Sequence, residues 1–520
     1  MFEDMQMKKK IKVFISVLII SLVYVQPLFA ASETPLKKLT LSEVKEALGK
    51  DRTFRDVDIS MLDLAEIDMS KISLYHSSLN EALLRNTNLT DSILISSDLA
   101  ICNLRRAEMA GVKAENSSFN RADLRDANLT CAVLISSTLK EADLSGANFR
   151  YGIIRGSDLT NTVMKNTNLS FSFIRADMSY ADLSRADMHG AYLSDVKLVN
   201  ANMRNINLST AKMNDINTKG SEKSRTILTK ANLSYAYIES SKIDYILLGG
   251  AYMHGIFMNR VDLNYADLSY ADISSAFIRS SEFNNADLQH AVLVDSSLEG
   301  VEFKGARLSN ADLKKTNFSD ATMTEALMNS VDLSGSDMSR ANLKGANLSG
   351  AKIQDVILDG ADLTNAVLDG AILKNINLNK AVLISASLKN VDLKGFNLSR
   401  TKMNKAQLTG SSLNRVNFSN ADLSYAAMAG CDVSGGSFEG TNLSNADLSG
   451  AILEGVSLKG SNLRNAVFVN ANMNGADLKG ADVRGADFTG VDIKSVKNFK
   501  LAKYTDKAKG LNKSSEKVPK

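Results

Sequence analysis

About two thirds of the way along, the chain reads Ala341-Asn342-Leu343-Lys344-Gly345-Ala346-Asn347-Leu348-Ser349-Gly350, which is one five-residue unit written twice. Each unit has a small residue, then Asn, then Leu, then two positions that are polar or glycine. A period of five fits neither the 3.6-residue turn of a helix nor the two-residue alternation of a plain strand. The pattern therefore indicates a chain that turns two positions of every five inward and three outward.

The unit recurs from Val57 to Ser495. If the large residue of each unit is taken as its centre, 85 of 88 centres are large and apolar, and the exceptions are Ala114, Thr218 and Lys223. This pattern resembles the pentapeptide-repeat family. The resemblance implies an all-β solenoid, a right-handed quadrilateral parallel β-helix in which four units make one coil. With four units per coil, the repeats predict about 22 coils stacked into a rod.

Residues 1–30 read as a signal peptide. Four lysines between Lys8 and Lys12 precede the apolar run Val13 to Val25, and a small-residue cleavage site follows with cleavage after Ala30. The alternative is an uncleaved anchor, but the run is short for a membrane crossing, which needs about 20 residues. We therefore expect an exported protein, periplasmic or secreted, without a stable membrane span after cleavage.

Residues 31–56 form an N-terminal segment with a short capping helix in this interpretation. Thr40 and Glu43 match a capping box, Leu41, Val44 and Leu48 share one face, and Gly49 suits the end of a helix. The β-helix proper is then expected over 57–495. Residues 496–520 are predicted to form a C-terminal cap through Val496, Phe499, Leu501 and Tyr504, followed by a basic disordered tail.

Two irregularities interrupt the five-residue repeat. The unit Ser172-Phe173-Ile174-Arg175 lacks one residue, so we expect a tightened corner and a small kink near 171–176, with a functional hinge as the alternative. Two adjacent polar centres predict a loop at 216–225, because an unpaired lysine is costly to bury. Loops on rigid scaffolds often carry function, although two decayed repeats would look the same. The candidate loop residues are Lys219, Gly220, Glu222, Lys223 and Arg225.

Residues twenty apart stack on one side of the rod if a coil has twenty residues. Aromatic residues then form a column of three, a second stacked pair and two neighbours on an adjoining side and corner. Contiguous exposed aromatic side chains usually mark a contact surface, but they also stabilise a ladder as cross-strand pairs. The candidate partner surface comprises Tyr237, Phe257 and Phe277 (the column), Tyr245 and Tyr265 (the pair), Tyr252 and Tyr235.

The residues show no constellation for catalysis, metals or cofactors. The four histidines lie at outward positions of different coils, so neither metal ligands nor a catalytic triad is expected. Cys102 and Cys431 replace the small inward residue, and Cys131 is outward and alone. We therefore expect no catalytic residues, no metal and no cofactor, and a protein that is not an enzyme.

The charge excludes a simple nucleic-acid binder. The chain has 61 basic and 58 acidic residues. Without residues 1–30 (four Lys, two acids) and the tail 496–520 (eight Lys, two acids), 49 basic and 54 acidic residues remain. Neither a basic stripe nor a strongly acidic surface results. The leading interpretation is an exported, non-enzymatic rod-like scaffold that presents flat faces to an unknown protein partner or to itself. The family resemblance implies an alternative, a DNA-mimicking inhibitor or protector of topoisomerases such as gyrase.

Overall fold

The structure, a computed structural model, describes residues 35–378 and 380–511. The predicted signal peptide and the last residues of the predicted disordered tail lie outside this part of the chain. Over the described residues, parallel bridges join each unit to the unit twenty residues on, for example Asp98 to Ser118 and Asn103 to Asp123. Four such ladders run along the chain, one for each side of a coil. The parallel β-solenoid predicted from the repeats is confirmed.

Regular strands occupy mainly one of the four sides. Twelve strands, from Thr53–Arg55 to Phe277–Arg279, pair in chain order to form a single parallel sheet. Two further pairs form separately, Lys37–Lys38 with Val57–Asp58 and Lys352–Gln354 with Ile372–Lys374. The eight-residue helix α1 and three short 3₁₀ turns complete the elements. The bounds are β1 Lys37–Lys38, α1 Leu41–Leu48, β2 Thr53–Arg55, β3 Val57–Asp58, β4 Ser73–Tyr75, β5 Ile93–Ile95, β6 Lys113–Glu115, β7 Val133–Ile135, β8 Ile153–Asp158, β9 Phe173–Asp177, β10 Tyr192–Ser194, β11 Lys212–Asn214, β12 Tyr237–Glu239, β13 Phe257–Asn259, β14 Phe277–Arg279, β15 Lys352–Gln354 and β16 Ile372–Lys374, with 3₁₀ turns Ile493–Ser495, Phe499–Leu501 and Thr505–Lys507.

The core is a column of unit centres. Leu343 and Leu348 are no more than 1% exposed, and the small residues Ala341 and Ala346 are fully buried beside them. Corners form two residues after each centre, where the backbone takes positive φ, for example 67° at Gly345. Glycine adopts this conformation without strain, which explains its frequency at the fifth position of the unit.

Helix α1 closes the N-terminal end. The Thr40 hydroxyl accepts a hydrogen bond from the Glu43 amide, and the Glu43 carboxylate accepts one from the Thr40 amide at 2.7 Å. Val44 and Leu48 are buried. Gly49 ends the helix in a right-handed conformation with φ of −79°, so its conformational freedom is not needed there.

The ladder starts one unit earlier than the sequence predicted. Thr53–Arg55 pairs with Ser73–Tyr75, and Phe54 is a buried centre at 2% exposure. The boundary at Val57 is therefore wrong. The unit escaped detection because Arg52 stands where a small inward residue is usual.

The C-terminal end is more ordered than the sequence predicted. Residues 496–511 build a last coil, and bridges join Asp477 to Lys497, Asp482 to Lys503 and Asp487 to Lys509. The three 3₁₀ turns begin six residues apart, so each side of this coil has six residues and not five. The prediction of a disordered tail is therefore wrong for residues 505–511. These residues are held by backbone pairing, which does not require an apolar residue at each centre.

The predicted cap residues separate into two groups. Val496 is 7% exposed, and the Phe499 ring meets Phe488 edge-on with 5.7 Å between centroids. Leu501 and Tyr504 are 57% and 48% exposed, and the Arg484 guanidinium lies 4.1 Å above the Tyr504 ring. Only the first two therefore cover the end of the core.

The deleted residue near 171–176 belongs to a corner. Arg155 pairs with Arg175 and Ser157 with Ala176, so Gly156 has no counterpart in the next coil. Gly156 has positive φ, whereas no described residue between Phe171 and Tyr180 does. The coil therefore omits one left-handed corner and runs as the extended strand β9.

Candidate protein-binding surfaces

The four sides are named here from one coil. Side 1 carries β12 (Tyr237–Glu239), side 2 carries Lys242, side 3 Leu247 and side 4 Tyr252. Residues that bridge to these positions in other coils lie on the same sides. Corners between sides carry the residues with positive φ.

The predicted aromatic column exists on side 1. Ring centroids are 4.7 Å apart for Tyr237 and Phe257, with planes 3° from parallel, and 5.4 Å apart for Phe257 and Phe277. The rings face one another along the rod, so they present their edges to the surroundings. Such a surface offers apolar contact area but no open ring face for a flat ligand to stack on.

Polar groups hold the two ends of this column. The Tyr237 hydroxyl donates a hydrogen bond to the Glu239 carboxylate at 2.7 Å, and this bond raises the pKa of Tyr237 and lowers the pKa of Glu239. Arg260 pairs with the same carboxylate at 2.6 Å. At the other end, the Arg279 guanidinium lies 4.2 Å from the centre of the Phe277 ring.

The column continues toward the N-terminus, which the sequence analysis missed. Phe173 and Tyr192 stack with 5.1 Å between centroids, and further apolar side chains precede them on side 1. All are partly buried, and only Lys113 and Lys212 interrupt the row. The signal was present as apolar residues at outward positions about twenty apart. We call this row the apolar strip: Ile93, Ile95, Val133, Ile135, Ile153, Phe173, Tyr192, Tyr237, Phe257 and Phe277.

Two predicted residues lie beside the strip. Tyr235 occupies the corner between sides 4 and 1 and is 61% exposed; its ring meets His254 edge-on at 5.4 Å. The ring also lies over Gly255, where an added Cβ would come within 2.6 Å of it. Tyr252 lies on side 4 and is 58% exposed. Tyr235 therefore widens the apolar surface at the corner, and Tyr252 faces another direction.

The second predicted pair stacks at the corner between sides 2 and 3. The centroids of Tyr245 and Tyr265 are 4.8 Å apart. Side 2 separates this pair from the apolar strip. The structure thus divides the seven predicted aromatic residues between at least two surfaces.

The predicted loop borders this second corner. Asn217 pairs with Lys242, twenty-five residues on, so the coil contains five additional residues and then resumes its register. Lys219–Arg225 project outward, and Lys223 is exposed. Thr218, by contrast, stays at an inward position and is 1% exposed. A threonine in place of a large centre leaves a cavity of about 30 Å³.

Groups with chemical reactivity lie far apart or are buried. Cys102 donates to the Leu79 carbonyl oxygen, and burial raises the pKa of its thiol to about 12. The described histidines take part in separate contacts, such as His189 with Asp187 at 2.9 Å. Within residues 35–378 and 380–511, no three His, Cys, Asp or Glu side chains are placed to hold a metal ion.

A family model described as "Pentapeptide repeats (8 copies)" matches this chain over residues 67–215, 281–320 and 326–490. Since these ranges cover more than half of the sequence, the chain belongs to the pentapeptide-repeat family. The unmatched stretch 216–280 contains the loop and all seven residues of the predicted aromatic surface. No curated protein matches the chain. In the described part, no helix has the length and apolar character needed to cross a membrane.

Solved structures of similar proteins include three informative examples. Rfr23 from the cyanobacterium Cyanothece 51142 is 32% identical over 18% of this chain and 63% of its own length, with a TM-score of 0.17. HetL from the cyanobacterium Nostoc, involved in heterocyst differentiation regulation, is 23% identical over 67% and 97%, with a TM-score of 0.15. QnrB1, a plasmid-mediated fluoroquinolone resistance protein, is 20% identical over 42% and 90%, with a TM-score of 0.20. The chain therefore spans less than two thirds of Rfr23.

Proposed function

We propose that this protein is an exported, non-enzymatic rod that binds a protein partner through the apolar strip on side 1. The observation that carries the proposal is the strip itself. From Ile93 to Phe277 it extends over nine coil spacings, or about 45 Å. Isolated apolar residues are normal on protein surfaces, whereas a long row of apolar side chains, here interrupted at Lys113 and Lys212, is typical of an interaction site.

The orientation of the rings favours a protein over a carbohydrate as the occupant. Because Tyr237, Phe257 and Phe277 stack on each other, their faces are already covered. Ring edges and aliphatic groups such as Ile153 fit apolar side chains of another protein, with the polar rim of Arg175 and Glu239 beside them. A second copy of this chain is one protein that offers such a row.

Charge favours this function over the topoisomerase alternative. A DNA mimic needs an acidic surface, but carboxylates here pair with cations one coil away, as in Asp195 with Arg175 and Asp320 with Arg340. Export rests on residues 1–30 of the sequence. Fractionation of cells and N-terminal sequencing test it; an intact cytoplasmic chain contradicts export.

Binding is tested by placing a photo-crosslinking amino acid at Phe257, with Asn417 on the same side as the matched control. We expect a defined adduct from position 257 only, identified by mass spectrometry as one protein or as a second copy. The triple variant Tyr237→Asn, Phe257→Asn, Phe277→Asn, with the crosslinker moved to Tyr192, should lose the adduct, while Ile357→Asn should not. Equal adducts from 257 and 417 would refute the strip as the binding surface.

A further inference from the structure

We propose that the hairpin Lys219–Arg225 and the tyrosines beside it form a second binding site, for an acidic segment of a protein. The hairpin emerges at the corner between sides 2 and 3, so the whole of side 2 separates it from the apolar strip. The two surfaces are therefore independent, and this site does not depend on the function proposed for the strip.

The hairpin is held in one conformation. Ser221 and Ser224 exchange two backbone hydrogen bonds of 2.9 and 3.0 Å. The Ser224 hydroxyl donates to the Asn200 side-chain oxygen at 2.8 Å in the preceding coil. On the other side, Gly220 packs so closely that an added Cβ would lie 2.4 Å from the Asp244 carbonyl oxygen. A loop fixed in this way loses little entropy when it binds, which favours affinity.

The hairpin carries uncompensated positive charge. It has three cations, Lys219, Lys223 and Arg225, and one carboxylate, Glu222. The Arg225 guanidinium donates to the Glu222 carbonyl oxygen at 3.2 Å and not to its carboxylate. In the described part of the chain, neither lysine has an ion-pair partner, whereas cations on the flat sides commonly pair between coils. A partner that supplies carboxylates would complete these pairs.

Exposed tyrosines continue the same corner on both sides of the hairpin. Tyr180 is 56% exposed and Tyr265 is 48% exposed, and Tyr265 stacks on Tyr245. The row from Tyr180 through Asn200 and the hairpin to Tyr265 covers four coil spacings, about 20 Å, the length of about six extended residues. Tyrosine and arginine are the residue types enriched at the centres of protein interfaces. An extended segment that alternates acidic and apolar or aromatic residues fits this row.

A peptide-binding experiment tests the site with the full chain. The probe is a fluorescein-labelled peptide of alternating Glu and Tyr, and a Gln–Tyr peptide of equal length is its control, both followed by fluorescence anisotropy. We expect the Glu peptide to bind at least about tenfold more tightly. The charge-reversal variant K219E/K223E/R225E should weaken it by about tenfold or more. The matched control K71E/K315E/K405E makes the same change of net charge at exposed corners elsewhere and should change binding less than about twofold.

Deletion of Lys219–Lys223 supplies a second variant, which removes the five additional residues of this coil. It leaves Thr218 and Leu228 five residues apart, which restores a coil of twenty residues. This variant should fold and lose the Glu–Tyr peptide, while the strip variant Tyr237→Asn, Phe257→Asn, Phe277→Asn should keep it. The proposal is overturned if the deletion retains full affinity, or if both charge-reversal variants weaken binding equally. It is also overturned if the chain binds phosphatidylglycerol vesicles through the hairpin and not the peptide.

Discussion

Side 1 changes character halfway along the rod. From Ser73 to Arg279 it is a sheet of regular strands with an apolar outer row; from Ser297 to Lys479 it keeps the same parallel ladder but carries mainly Ser, Asn and Asp. Both parts bury the same kinds of residue at the centres, such as Leu94 and Leu398. The fold therefore depends on the inward positions and leaves the outward positions free to differ.

The outward residue also decides the local backbone. In the second part, the side-chain oxygen of Asp337 accepts a hydrogen bond from the Ser339 amide at 2.8 Å, and Asn417 does the same with Ser419 at 3.0 Å. This Asx turn bends the side. None of the twelve strands of the large sheet has Asp or Asn before its central residue, and β-branched and aromatic residues there favour an extended backbone.

The largest expected effect is a difference in unfolding free energy between a substitution in a buried aromatic stack and one in the apolar strip. Phe303 is fully buried between Phe283 and Phe318, with centroids 5.1 and 5.9 Å away. Phe303→Ala should cost about 3–5 kcal/mol of unfolding free energy, because it leaves a cavity. Phe257→Ala on the strip should cost about 1–2 kcal/mol. Urea unfolding followed by circular dichroism compares them, and equal losses would mean that the strip is part of the structural core.

A smaller loss of stability is expected when an Asx turn is removed from the second part of side 1, between Ser297 and Lys479. Asp337→Ala deletes the acceptor for the Ser339 amide and should cost about 0.5–1.5 kcal/mol. Asp337→Asn keeps the acceptor and serves as the control. Thermal unfolding measures both, and an alanine variant as stable as the asparagine variant would show that the turn does not need its side chain.

Ser297→Phe would extend the strip by one coil. The new ring would take the place of the Arg279 guanidinium on the Phe277 ring. We therefore expect a net stabilisation of no more than about 0.5–1 kcal/mol. Asn317→Phe is the contrasting change, since it sacrifices the hydrogen bond from the Ser319 amide at 2.9 Å. If both variants raise Tm equally, the boundary between the two parts has no energetic basis.

The smallest expected effect on stability comes from Asp262, which lies on side 2 beside the apolar strip. Burial, with Asp244 and Glu282 nearby, raises the pKa of this carboxyl. Folding thus favours its protonated form, so its contribution to stability is present at low pH and is lost as pH rises through the folded-state pKa. Asp262→Asn keeps the acceptor for the Asn264 amide and should gain less than about 1 kcal/mol at neutral pH and nothing in acid. A gain that is independent of pH would rule out this cause.

The fold was predictable because each unit repeats one physical rule. A large residue such as Leu343 and a small one such as Ala341 must be buried in every unit, and no other period satisfies the sequence. The rule failed at Phe54, because the long Arg52 stands two residues before it, where the unit usually has a small residue. It failed again after Val496, where sides of six residues close the coil through backbone pairing.

The candidate surfaces were predictable only in part. Tyr237, Phe257 and Phe277 were found because three aromatic residues stand out, whereas Ile153 and Phe173 were missed because single outward apolar residues are common and draw no attention. The position of the loop followed from Lys223, which cannot be buried cheaply. The contact of Gly220 with Asp244 could not be foreseen, since it joins residues twenty-four apart across an insertion.

The two ends of the rod fix its length. Without residues 496–511, the amides of Leu478, Val483 and Phe488 would lose their acceptors at Lys497, Lys503 and Lys509, and the Phe488 ring would lose its contact with Phe499. An open edge of this kind is a template on which another chain can add. Truncation before Val496 should therefore expose this edge and favour filament growth, so we expect the segments that depart from the five-residue period to oppose end-to-end addition.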